Sequence, residues 1–165
     1  MDKQINMLSA RVGELLLANK AVLGVAESCT GGWLAKAITD IAGSSQWFDK
    51  GFVTYSNDSK VELLGVSESI LEAEGAVSEA TVRAMAAGVL SYPKINIAVA
   101  ISGIAGPDGG SPEKPVGTVW LAWIKKNPAL TITERKQFSG DRAAVRRAAV
   151  ETALDGIIRV CEVRT

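Results

Sequence analysis

Apolar residues recur at Ile5, Leu8, Val12, Leu15 and Leu16, a three-to-four spacing that predicts an amphipathic helix from residue 3 to about 18. The pattern then shifts to short apolar runs at 21–26, 48–56, 95–101, 116–124 and 130–138, which read as strands. Between and after them, 31–41, 58–64, 78–90 and 141–160 read as helices. Ser78 followed by Glu79 suits a helix start, and Gly65 stands where the helix from 58 needs a left-handed end. Strands alternating with helices predict an α/β domain. Asn127-Pro128 is a turn signal between the last two strands, so these form an antiparallel hairpin. The sheet is therefore expected to be mixed and mostly parallel, flanked by helices in a three-layer arrangement. Trp120 and Trp123 are an odd number apart and face opposite sides of their strand, one toward the core and the other as a candidate subunit contact. Residues 103–117 hold too many Gly and Pro for a helix or strand and form a long loop, a common location for function.

With 165 residues and 47% hydrophobic content, the chain suits one domain, 1–165, that buries its core without disulfides or a structural metal. Lys plus Arg and Asp plus Glu balance at 18 each, and no basic stretch interleaves with aromatics. Direct nucleic-acid contact is not expected, and a small molecule is the expected partner. The N-terminus lacks a signal-peptide pattern, and no apolar run approaches the roughly 20 residues of a membrane span. A cytoplasmic protein without membrane association is expected. Cys29 and Cys161 show no CxxC pairing.

Composition changes the picture most through histidine, which the chain lacks altogether. Every Ser-His and Cys-His mechanism is excluded. The motif Glu27-Ser-Cys-Thr-Gly-Gly32 joins a strand run to a helix and places Ser28 on the turn. A helix N-terminus offers unpaired N–H groups to an anion or oxyanion, and Gly31 and Gly32 would let a substrate approach the backbone. A serine nucleophile without histidine needs another base, and a lysine with a lowered pKa supplies one. Lys60, in the first turn of the helix after the second strand, can reach the same crevice. The helix dipole supplies only about 0.3–1 kcal/mol of that shift. Moving a lysine from about 10.4 to about 7.5 needs roughly 4 kcal/mol, so desolvation or a neighbouring cation must do most of it. Arg142 is a candidate for that cation, and equally for a bidentate clamp on phosphate or carboxylate. Cys29, with no histidine to form its thiolate, reads as a small buried neighbour of the site.

The ordered motifs Ala26-Glu-Ser-Cys-Thr-Gly-Gly32, Gly51-Phe-Val-Thr-Tyr-Ser-Asn57 with Lys60, Gly75-Ala-Val-Ser-Glu79, Ile101-Ser-Gly-Ile-Ala-Gly-Pro107, Lys114-Pro-Val-Gly-Thr118 and Phe138-Ser-Gly-Asp-Arg142 resemble the CinA C-terminal-domain family. The resemblance covers nearly the whole chain and is to the stand-alone form of the domain. It implies an amidohydrolase that converts nicotinamide mononucleotide to nicotinate mononucleotide and ammonia in pyridine-nucleotide salvage. It implies Ser28 as nucleophile, Tyr55 and Lys60 as proton-handling partners, Arg142 as a further site residue, and Ser102 and Gly103 as a substrate-contacting segment. Some family members carry threonine at position 102, and serine keeps the hydroxyl. In the expected acyl transfer Lys60 takes the Ser28 proton, Tyr55 orients or relays it, and N–H groups near Thr30 and Gly31 bind the oxyanion. Cys29, Thr30, Gly31 and Gly32 complete the expected substrate-binding turn. No metal or cofactor is required by this scheme, and a homo-oligomer, favouring a dimer, is expected. Two rivals stay open: a non-catalytic nucleotide-binding module, and a regulatory module of the competence or damage-inducible type.

Overall fold

A computed structural model describes residues 2–163. α1 (Lys3–Ala18) starts at Asp2, whose carboxylate accepts the N–H groups of Gln4 and Ile5, and buries Ile5, Val12, Leu15 and Leu16. β1 (Leu23–Glu27) leads through α2 (Trp33–Thr39) and a 3-10 turn at Ser44–Gln46 to β2 (Phe48–Val53). α3 (Asn57–Leu64), α4 (Glu68–Glu74) and α5 (Glu79–Leu90) return the chain to β3 (Ile97–Gly103). The hairpin of β4 (Thr118–Lys125) and β5 (Leu130–Gln137) precedes α6 (Arg142–Glu162).

The sheet order is β2-β1-β3-β4-β5. β1 pairs parallel with β2 and β3, whereas β4 runs antiparallel to β3 and β5. Only β4 is reversed, which gives the expected mixed, mostly parallel sheet. β1 is buried throughout, and β3 everywhere but at its last residue, as strands covered on both faces require.

The two faces differ in side-chain size. Leu23, Val25, Val99, Ile101, Leu121 and Trp123 meet α1, α2 and α6 in the larger core. On the other face Ala26, Ala98, Ala100 and Ala122 present small side chains, against which α5 seats Val82, Met85 and Val89. Trp123 donates its indole N–H to Ala153 O at 3.0 Å. A side chain on Gly156 would overlap that indole, so glycine is what brings α6 down onto the sheet. Trp120 takes the opposite face, as the odd spacing demands, and packs against the second core. With helices on both faces each tryptophan finds a packed environment.

α4 has no counterpart in the hydrophobic pattern, because none of its residues is buried. Its one local signal is Ser67, whose hydroxyl accepts the Ile70 N–H. β2 lies to one side of β1 and β3 to the other, so the connections leaving β1 and β3 diverge and open a crevice at the carboxyl edge of the sheet.

Candidate active site

Ser28 is the first residue beyond β1, and its N–H donates to Ile101 O at 3.1 Å, which carries the pairing with β3 one step further. The chain then turns sharply, with Gly31 N–H donating to Ser28 O at 3.0 Å. Gly31 and Gly32 adopt φ of 58° and 98°, a region where a side chain is strained.

Lys60 reaches this turn from α3. Ser56 caps that helix by accepting the Ser59 N–H, which points the next turn, and Lys60 with it, back under the sheet edge. Three acceptors surround its amine: Ser28 Oγ at 3.1 Å, Thr54 O at 2.7 Å and Tyr55 O at 3.3 Å. Carbonyls only accept, so two N–H bonds are committed to the backbone, and the third position on nitrogen faces Ser28. In a charged lysine that position carries a proton; in a neutral one it is a lone pair able to accept the serine proton. Lys60 is 1% exposed. Burial lowers its pKa from the ordinary lysine value, and the adjacent Cys29 pulls weakly the other way.

Ser28, Cys29, Tyr55, Lys60, Ser102, Gly103 and Arg142 line one cavity of about 270 Å³. Arg142 crosses its mouth, donating to Gly106 O at 2.8 Å and to the Tyr55 hydroxyl at 3.2 Å. It therefore braces the long loop after β3 against Tyr55. The lowered pKa of Lys60 comes from burial. Tyr55 meets Lys60 through its carbonyl, while its hydroxyl is held by Arg142. The Ser102 hydroxyl is buried in the cavity wall without a hydrogen-bond partner among the described residues. The Cys29 thiol is pushed up to about 11 by burial and by the Glu27 carboxylate, which keeps it protonated at neutral pH.

Thr30, Gly31 and Gly32 are not in the cavity wall. Gly31 and Gly32 border a separate concavity of about 480 Å³ between α1, α2 and α6, which contains neither Ser28 nor Lys60. The buried Thr30 hydroxyl donates to Glu27 Oε1 at 2.6 Å. The Gly31 N–H is spent on Ser28 O, whereas among the described residues the N–H groups of Cys29 and Thr30 have no partner.

Two residues that the sequence reading passed over shape the turn. Glu27, 1% exposed, accepts the N–H groups of Leu34 at 2.9 Å and Ala35 at 3.0 Å, so the α2 N-terminus is filled from within the chain. The available signal was negative: α2 starts on Gly32, which has no side chain to cap it, directly after a strand that ends in a carboxylate. Arg146, on α6, donates to Cys29 O at 3.0 Å and Thr30 O at 3.2 Å. Among the described residues no group of three or more Cys, Asp or Glu side chains could hold a metal ion, and no helix is long and apolar enough to cross a membrane.

Fold and site together describe an α/β domain with a buried serine and lysine paired at the carboxyl edge of its sheet. The chain belongs to the CinA family, its residues 5–161 matching the CinA C-terminal domain. It is 57% identical over 158 residues to the nicotinamide-nucleotide amidohydrolase PncC of Enterobacter agglomerans, covering 96% of each chain. It is 52% identical over 156 residues to the protein of that name from Pseudomonas putida, covering 94% of this chain and 96% of the relative. The crystal structure of the competence/damage inducible protein CihA from Agrobacterium tumefaciens superposes with a TM-score of 0.94 at 43% identity, covering 97% of both chains.

Proposed function

We propose that this protein hydrolyses the carboxamide of nicotinamide mononucleotide, releasing nicotinate mononucleotide and ammonia as a step of pyridine-nucleotide salvage. One observation carries the chemistry: a buried amine, with two N–H bonds committed to carbonyls, turns its third position to Ser28 Oγ at 3.1 Å. The names of the PncC relatives supply the substrate class.

Neutral Lys60 takes the Ser28 proton as Oγ bonds to the carboxamide carbon. The charge that develops on the carboxamide oxygen is met by the free N–H of Cys29, the cavity-lining residue after the nucleophile in a strand–turn–helix arrangement. Collapse breaks the C–N bond, and protonated Lys60 delivers its proton to the departing amine, which leaves as ammonia. Water then gives a proton to Lys60 and attacks the acyl carbon, and Ser28 takes that proton back from Lys60 as the C–O bond breaks. The acid departs and loses its own proton to solvent to give the carboxylate. The Ser102 hydroxyl, buried without a partner among the described residues, bonds the carboxamide, and Arg142 and Gly103 hold the rest of the ligand at the mouth. Tyr55, fixed by Arg142, orients the ligand rather than relaying the proton.

The rival nucleotide-binding module needs Gly31, Gly32 and Arg142 to hold one phosphate, but Arg142 lines a different cavity from the two glycines, and Glu27 already occupies two N–H groups at the start of α2. The amidohydrolase reading makes the protein a cytoplasmic enzyme, in keeping with two free cysteines, and the family resemblance adds a homo-oligomer, with a dimer favoured. The test is ammonia release from nicotinamide mononucleotide, nicotinamide riboside and free nicotinamide. Turnover of the mononucleotide supports the assignment; calorimetric binding without turnover favours the binding module.

A further inference from the structure

We infer that Arg146 is a positioning residue for Ser28, acting through the backbone of the nucleophile's turn without touching the substrate. The inference rests on the amidohydrolase reading and concerns a residue outside its cavity. Arg142 and Arg146 stand one turn apart on α6 and point to opposite sides of the Ser28 turn. Arg142 lines the 270 Å³ cavity, whereas Arg146 lines the 480 Å³ concavity behind it. The two arginines thus divide the work, one toward the ligand and one toward the frame that holds the nucleophile.

The frame is a series of peptide planes. In a planar trans peptide the carbonyl of one residue and the N–H of the next point in opposite directions. Gly31 N–H holds the Ser28 carbonyl, which fixes the direction of the Cys29 N–H. Arg146 Nε holds the Cys29 carbonyl at 3.0 Å, which fixes the Thr30 N–H, and its terminal nitrogen holds the Thr30 carbonyl at 3.2 Å, which fixes the Gly31 N–H. The last of these is the donor that holds the Ser28 carbonyl, so the arrangement closes on itself. Thr30 O also accepts the Trp33 N–H at 3.0 Å, but Cys29 O has no other partner among the described residues. Among the described residues Arg146 is therefore the one side chain that holds the Cys29–Thr30 and Thr30–Gly31 planes, and through the Gly31 N–H it steadies the Ser28–Cys29 plane that aims the free Cys29 N–H.

From the other side, Glu27 holds the Thr30 hydroxyl and the start of α2. The turn is thus gripped between a buried carboxylate and a guanidinium fork. A lysine at 146 would have to serve both carbonyls from one rotating nitrogen, whereas the planar fork meets each with its own nitrogen in a fixed geometry.

The test is steady-state kinetics on nicotinamide mononucleotide with Arg146→Ala, Arg146→Lys and, in parallel, Ser28→Ala. A turn that has lost its fork misaligns the nucleophile, and such misplacement costs about 10- to 100-fold in kcat. KM should stay within about threefold, because the ligand does not meet this side chain. Guanidinium at tens of millimolar should restore part of the lost kcat in Arg146→Ala, since the emptied site opens onto the adjacent concavity. Wild-type kcat in Arg146→Ala, or a loss seen only in KM, overturns the inference. Should Arg146→Ala fail to fold, Arg146→Lys decides by the same split. Wild-type turnover in Ser28→Ala would instead overturn the amidohydrolase reading itself, so the two failures are distinguishable.

Discussion

Lys60 places its amine 3.1 Å from Ser28 Oγ although 32 residues separate them, and it does so at 1% exposure. Desolvation moves this lysine toward acting as a base: with little water to stabilise the ammonium, the balance shifts to the neutral amine.

The pH–rate profile should report that amine. Because burial lowers the Lys60 pKa, kcat/KM is expected to rise with pH along a limb whose midpoint lies below the ordinary lysine value of about 10.4. Lys60→Arg, charged at every accessible pH, should be inactive throughout. A profile without such a limb anywhere below about pH 10.4 would remove Lys60 as the titrating base.

Stability should carry the same signature with a definite sign. A lysine whose folded pKa lies below its unfolded one binds more protons when unfolded, so the cost of burying it charged is felt in full below the folded pKa. That cost disappears as pH rises from there toward about 10.4. Cys29 and Cys161, both raised to about 11, act oppositely above about pH 9, so the comparison belongs below that. Urea melts should show wild type gaining stability relative to Lys60→Met as pH rises from 6 to 9. A constant difference would contradict it.

Cys29 should behave as a packed thiol. With its pKa near 11 it carries little thiolate at pH 7.5, so iodoacetamide is expected to react far more slowly than with a free cysteine. Cys29→Ala retains the backbone N–H and should keep activity within about tenfold. Abolished turnover in a folded Cys29→Ala protein would shift the nucleophile assignment from Ser28 to Cys29.

Glu27→Gln tests the internal cap of α2. The amide nitrogen would face the Ala35 or Leu34 N–H that a carboxylate oxygen now accepts, leaving a buried donor unmet at a cost of about 2–4 kcal/mol. For a chain of this size that corresponds to roughly 5–15 °C in the melting midpoint. An unchanged melting curve would show that the cap contributes little.

Where burial is two-sided, the sequence was easily read: the continuous apolar runs of β1 and β3 and the helical stripe of α1 stand within two residues of their observed bounds. The run read as 48–56 ends as a strand at Val53, and the carbonyls of Thr54 and Tyr55 turn to Lys60 instead of extending the sheet. That bend is part of the site and leaves no mark in hydrophobicity. The absence of histidine directed attention to Lys60 and, as its candidate cation, to Arg142, and motif resemblance added Tyr55, Ser102 and Gly103. Glu27 and Arg146 escaped because both act on backbone groups, and Arg146 does so from 117 residues away. Main-chain acceptors have no residue type to recognise. The expectation of a helix N-terminus open to an anion failed for the same reason, since the anion was the chain's own Glu27.

The central claim is that Ser28 is the nucleophile, and its direct measurement is ammonia release from nicotinamide mononucleotide by Ser28→Ala, with circular dichroism matching wild type. The account predicts a kcat at least about 1,000-fold lower. Turnover within tenfold of wild type would contradict it.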